Sequence, residues 1–175
     1  MTIKTDIPAK AKRVIETPEE FNDLKRECVA VVKYWVDKAA DKCGVRIPYP
    51  RVQFDIKGAT AGTAQYNPRH PELSLIRFSP TLLRENANHF LESTTGHEVA
   101  HLIARAKYGN VDPHGVEWGR VMWAFSLPAT RCHNYDISNV STRVGKVRKV
   151  VSPLTKKTQD GIVHFAAGAK IIEFD

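Results

Sequence analysis

Residues 97–101 read His-Glu-Val-Ala-His, and no other stretch limits the fold as tightly. Two imidazoles four residues apart can meet one ion when the chain between them is helical, because a helix puts i and i+4 on one face, one turn apart. The glutamate beside the first histidine then lies where it can take a proton from water in the site. With seven histidines in 175 residues, the pattern is expected in roughly one or two shuffled chains per hundred. Its surroundings agree with a helix: Leu102, Ile103 and Ala106 extend an apolar stripe, and Val99 and Ala100 read as core. The helix is predicted over residues 88–108, closed by Gly109 and Asn110, both of which tolerate a left-handed cap.

A metal that hydrolyses needs a third protein ligand and an open fourth position. His114 supplies the third. Twelve residues separate it from His101, enough for the chain to leave the helix, reverse and return to the ion, and Gly115 beside it eases close backbone approach. One zinc ion on His97, His101 and His114, with Glu98 as the proton-accepting group, is the expected site. His70, His89, His133 and His164 lack this arrangement; His89 falls about 80° off the ligand face and reads as a surface or packing histidine.

The rest of the chain supplies elements for an α+β fold. Thr17-Pro18-Glu19-Glu20 is a helix start, with a capping hydroxyl, proline in the first turn and acids at the positive end of the dipole. Phe21, Leu24, Cys28, Val31, Trp35 and Ala39 then form one apolar stripe ending near Gly44. Val52, Phe54 and Ile56 alternate with polar residues as a half-buried strand does. The small residues Ala61-Gly62-Thr63-Ala64 follow, then a turn at 67–71 and a further strand over 73–78, two or three strands in all with the small-residue segment as the third. Ser79-Pro80 opens a short helix through Asn86. Another amphipathic helix runs over 116–125, with Trp118 and Trp123 expected to pack it under the metal site, and stacking on DNA as the lesser alternative for either. Residues 144–174 read as short strands among basic side chains.

At this length a single core can be buried without staples. Mean hydropathy is −0.34, and no apolar run is long enough to span a bilayer. The first twelve residues lack the apolar stretch of a secretory signal. Cys28, Cys43 and Cys132 are three in number with no CxxC, which excludes a disulfide framework and a four-cysteine zinc ribbon. A cytoplasmic monomer is the expectation. The net charge is +7, and it is concentrated: residues 131–157 hold seven basic side chains, Arg131, Arg143, Lys146, Arg148, Lys149, Lys156 and Lys157, against one acid. Phosphate contact explains such a patch, and so, from charge alone, does a solvated basic surface.

The spacing from His97 and His101 to His114, followed by Gly115 and Trp118, resembles the SprT-like/Spartan zinc metallopeptidases, whose pattern is HExxH with a later HGxxW-type segment. Metzincins fit less well, since their third histidine comes sooner. The resemblance covers about residues 18–137. It implies a zincin-like helical core with a small β-sheet and, in the Spartan branch, DNA-stimulated hydrolysis of proteins crosslinked to DNA. It also favours DNA as the partner of the basic patch. Bacterial relatives commonly end in a CxxC zinc ribbon, which is lacking here after Cys132. The chain therefore divides into a metallopeptidase core, 1–137, and a basic β-rich extension, 138–175, read as a ribbon-like remnant without metal or as something unrelated.

Arg143, Lys146, Arg148, Lys149, Lys156 and Lys157 are the expected nucleic-acid contacts. His133, Tyr135 and Arg131 are candidates to stabilise the transition state, and the strand over 73–78 is the candidate for pairing with an extended substrate protein. Two other functions compete with this one: a non-catalytic DNA-binding adaptor with a structural metal, and a metalloprotease unconnected with nucleic acid. The presence of Glu98 speaks against the first, because structural sites close the fourth position with a protein ligand.

Overall fold

The structure is a computed structural model and describes residues 13–140. Helix α1, Pro18–Cys43, begins at a capping box: Thr17 Oγ1 accepts from Glu20 N–H at 3.2 Å, and the Glu20 carboxylate accepts from Thr17 N–H at 3.0 Å. Both orphan donors are satisfied reciprocally. The helix stops at Gly44, whose φ of 67° is the left-handed cap. Its buried face is Leu24, Cys28, Val32, Trp35, Val36 and Ala39. Val32 thus takes the place expected for Val31, which is half-buried. Phe21 is half-buried too, with the cations of Lys25 and Arg84 over its ring.

Three short strands form one mixed sheet in the order β1-β3-β2. Strand β1, Arg51–Phe54, runs parallel to β3, Leu75–Phe78, while β2, Gly62–Gln65, runs antiparallel to β3. The small-residue segment is therefore a strand. Residues 71–73 form a 3-10 turn rather than the start of β3, because Pro71 sets the turn and Ser74 N–H closes it on the Pro71 carbonyl at 3.1 Å. This overturns the expectation that 73–78 pairs with a substrate: β3 is the central strand, hydrogen-bonded on both edges. Its Ile76 and Phe78 are fully buried.

The helix expected over 88–108 is broken. Helix α2, Pro80–Glu85, capped by Ser79 Oγ, is followed by the single turn α3, Ala87–His89, a π-helical turn over Phe90–Thr94, and helix α4, Thr95–Tyr108. Thr95 Oγ1 donates to the Leu91 carbonyl at 2.6 Å and accepts from Trp35 Nε1 at 3.1 Å, so a side chain takes a carbonyl from the backbone ladder where the helix widens. Helix α4 is the centre of the molecule: Val99, Ala100, Leu102 and Ile103 are fully buried and the helix packs on α1, β2 and α5, Val116–Ala124. Replacing such a core leucine by alanine costs about 2–5 kcal/mol.

Two tryptophans part company on α5. Trp118 is 2% exposed, as expected, but Trp123 is 83% exposed and packs under nothing. Cys28 lies in the core, where burial pushes its thiol up to about 12. No described helix is long and apolar enough to cross a membrane. From residue 141 onward the expected basic extension, with Arg143, Lys146, Arg148, Lys149, Lys156 and Lys157, lies outside the described residues.

Candidate metal centre

Helix α4 presents His97 and His101 one turn apart, and the loop between α4 and α5 brings His114 to meet them. The donor atoms of the three side chains lie within 4.8 Å of one another. Ring centroids are separated by 5.0 Å for His97 and His101, 5.0 Å for His97 and His114, and 4.8 Å for His101 and His114. His114 reaches inward from a backbone φ of 62°, a left-handed conformation uncommon outside glycine. A turn in which Gly115 N–H donates to the Asp112 carbonyl at 3.0 Å holds it there. A Cβ on Gly115 would crowd that turn, meeting the Asp112 carbonyl oxygen at 3.1 Å.

Trp118 forms the floor. Its ring centroid is 4.9 Å from that of His97, 5.6 Å from that of His101 and 4.8 Å from that of His114. One buried indole thus touches all three imidazoles and fixes their relative placement.

The chemistry of the donor set fits a metal ion. Burial lowers His97 to about 4, helped by the charges of His114 and His133. Burial lowers His101 to about 3, with His97, His114 and Arg105 contributing. His114 is also lowered, first by burial and then by Arg131. All three are therefore neutral at pH 7, each with a lone pair available. Nε2 of His97 and Nε2 of His114 are 3.0 Å apart, near the roughly 3.3 Å that a tetrahedral ion with Zn–N bonds of 2.0–2.1 Å requires. The cluster contains no fourth His, Cys, Asp or Glu among the described residues, which leaves a position open.

Glu98 is 5% exposed and makes no ion pair among the described residues. Burial alone pushes its carboxyl up to about 8; a cation nearby would favour the ionised form instead. It sits against β2, where Gly62 leaves space for it. A Cβ on Gly62 would lie 2.7 Å from Glu98 Cγ and 2.7 Å from Oε1.

The site opens into a cleft of ≈ 1040 Å³. One wall is β2 with the residues just before it, and the other is the segment after α5 that carries Arg131, His133 and Tyr135. The Tyr135 hydroxyl is 2.8 Å from His89 Nδ1 and 2.8 Å from Thr94 Oγ1. His133 Nε2–H donates to the Ala59 carbonyl at 2.9 Å, and its Nδ1 accepts from Tyr135 N–H at 3.2 Å. Both side chains are thus held by protein partners. Arg131 is exposed and has no ion pair among the described residues. The sequence gives no sign that His89 and Thr94 anchor Tyr135, since they do so from either end of the π turn. His89 is exposed, as a surface histidine should be, but it lines the cleft together with its partner Tyr135.

The SprT-like family profile matches residues 32–134. Protein SprT of Pseudomonas aeruginosa (strain LESB58) is 38% identical over 127 residues, 71% of this chain and 70% of that protein. Protein SprT of Pseudomonas paraeruginosa (strain DSM 24068 / PA7) is 47% identical over 122 residues, 69% of this chain and 67% of that protein. Protein SprT of Pseudomonas fluorescens (strain SBW25) is 36% identical over 122 residues, with the same two shares. The matched span takes in α4, β2 and the loop of His114. With over half its length matched by the profile and more than a third of the aligned residues shared with each relative, the chain belongs to the SprT-like family.

Proposed function

We propose that this protein is a zinc-dependent endopeptidase that hydrolyses peptide bonds in proteins bound or crosslinked to DNA, working as a cytoplasmic monomer with a core over 1–137 and a DNA-contacting extension over 138–175. The observation that carries the reading is the site itself: three neutral imidazoles converge with one position open, and a buried carboxylate stands at the edge of a wide cleft. When bound to His97, His101 and His114, zinc supplies Lewis-acid chemistry, acidifying water and polarising a carbonyl.

The chain's own residues account for the remaining tasks. Glu98 takes the proton of the attacking water on its carboxylate and hands it to the leaving amine. Its burial keeps bulk water from competing for that proton. Strand β2 has no further strand on its outer edge among the described residues, so an extended polypeptide can add to it by backbone hydrogen bonds, which recognise any sequence. Across the cleft, Arg131 has donors free for the developing oxyanion, whereas Tyr135 and His133 already have partners. Seven basic residues within 131–157 support phosphate contact.

The test is protein cleavage by wild type and Glu98→Gln, each with and without DNA and a chelator. Glu98→Gln should retain zinc and lose cleavage, and His114→Ala should lose zinc. Full cleavage by purified Glu98→Gln would refute the mechanism, and cleavage indifferent to DNA would favour a metalloprotease without a nucleic-acid role.

A further inference from the structure

Of the three tryptophans, Trp35 and Trp118 are 6% and 2% exposed, whereas Trp123 is 83% exposed. A single exposed apolar side chain is ordinary, but this one borders an open groove of ≈ 590 Å³ lined by Lys38, Lys42, Trp123, Ala124, Ser126 and Leu127. The lining has two cations and no carboxylate. Arg120, three residues before Trp123 on α5, is exposed as well. Lys42 and Arg120 have no ion pair among the described residues.

Lys38 is fixed in place. Its ammonium donates to the Phe125 carbonyl at 3.2 Å and lies 4.7 Å from the Trp35 ring centre and 5.6 Å from that of Tyr34, and Tyr34 is itself 54% exposed. The surface therefore combines a bare indole face with one fixed cation, Lys38, and two exposed ones, Lys42 and Arg120. An apolar partner would bury unpaired cations at a cost, and an acidic peptide would leave the indole unused. A nucleic-acid single strand uses both, since each nucleotide offers a base to stack and a phosphate to neutralise. A duplex keeps its bases stacked inside.

We propose that Trp123, Lys38, Lys42 and Arg120 form a contact surface for single-stranded DNA, made by side chains other than those of the basic extension. The proposal rests on the function above only in choosing DNA over RNA. The groove is also joined by packing to helix α4. Leu127 lines the groove and packs so closely on Gly96, one residue before His97, that a Cβ on Gly96 would lie 2.4 Å from Leu127 Cδ1. A strand bound on Trp123 thus lies on the outer side of the residues that buttress the start of the ligand pair.

The experiment uses the full chain loaded with zinc and a fluorescein-labelled oligothymidylate. Affinity is read by anisotropy and stacking by quenching of tryptophan fluorescence, to which the buried Trp35 and Trp118 contribute little change. Wild type should be quenched by the oligothymidylate and not by a duplex of equal length. Trp123→Leu should abolish the quench and weaken binding about 5- to 150-fold, with Trp123→Phe in between. The pair Lys42→Gln and Arg120→Gln should lower the salt slope by about 1.4, as loss of two phosphate contacts does on a single strand.

Unchanged affinity in Trp123→Leu would overturn the proposal. So would quenching by polyglutamate equal to that by DNA, which would mark an acidic-protein surface, or a quench that follows protein concentration rather than DNA, which would mark self-association. Binding is read without cleavage, so the two readings fail separately. A protein that stacks DNA on Trp123 but cleaves nothing refutes the peptidase, and an active peptidase indifferent to Trp123 refutes the surface.

Discussion

Replacing Gly62 by alanine should disarm Glu98 while leaving the three imidazoles in place. The added Cβ would lie 2.7 Å from Glu98 Cγ and Oε1 and 2.8 Å from Cδ, whereas ordinary contact begins at 3.4 Å. The carboxylate or the strand must therefore move by about 0.7 Å, and displacement on that scale costs about 10- to 100-fold in turnover. Zinc content should not change, because the ligands lie on other segments. The overpacking itself costs about 1–3 kcal/mol, set against about 0.5–1 kcal/mol gained because alanine restricts the unfolded chain more than glycine does. Net destabilisation of about 0–2.5 kcal/mol follows. In a Glu98→Ala background the clashing atoms are gone, so the same substitution should become neutral or stabilising. Urea unfolding of the four proteins, with turnover and zinc stoichiometry for those that retain Glu98, measures each quantity. Full turnover in Gly62→Ala, or equal destabilisation in both backgrounds, would show that β2 and Glu98 do not press on each other as described.

Metal retention should be unusually tolerant of acid. Low pKa values mean that protons compete weakly for His97 and His101, so zinc affinity should fall by no more than about tenfold from pH 7 to 5.5, where three ordinary imidazoles would lose several hundredfold. Competition with a chromophoric chelator at the two pH values reads this directly, and a several-hundredfold loss would contradict it. Trp118→Ala removes the floor under all three rings and should weaken zinc binding by about 10- to 100-fold, measured by the same competition; unchanged affinity would deny the indole its positioning role. Arg131→Gln should lower kcat by about 10²–10³ with KM little changed, and a rise in KM alone would make Arg131 a substrate-binding residue. Under native conditions a thiol reagent should modify the exposed Cys132 and spare Cys28, which joins only on denaturation.

The ligand set was legible because the chemistry fixes its own spacing: a helix turn separates His97 from His101, and a reversing loop leads to His114. The first helix was legible for a similar reason, since the capping box at Thr17 and the glycine at 44 are local. What could not be read depends on partners distant in the chain. Gly62–Gln65 is too poor in apolar residues to announce a strand by alternation, which leaves the count at two or three, and its pairing with Leu75–Phe78 makes it one. That pairing also moves the open sheet edge from β3 to β2. The break at Phe90–Thr94 escaped a periodicity argument because the apolar residues on each side remain in phase with their own neighbours. Trp123 looked like core by residue type, yet the side of α5 facing α4 is already filled by Trp118, Val121 and Met122.

That break is a π turn within the long helical segment, and it holds one residue more than regular winding needs. Deleting a single residue between Phe90 and Thr94 would restore the α-helix. Because the wide turn absorbs its extra residue locally, the pieces on either side would keep nearly the same mutual setting, with His89 still beside Tyr135 and His97, Glu98 and His101 in their places. The chain can therefore change length by one residue at this point without rotating the wall of the cleft against the metal cluster.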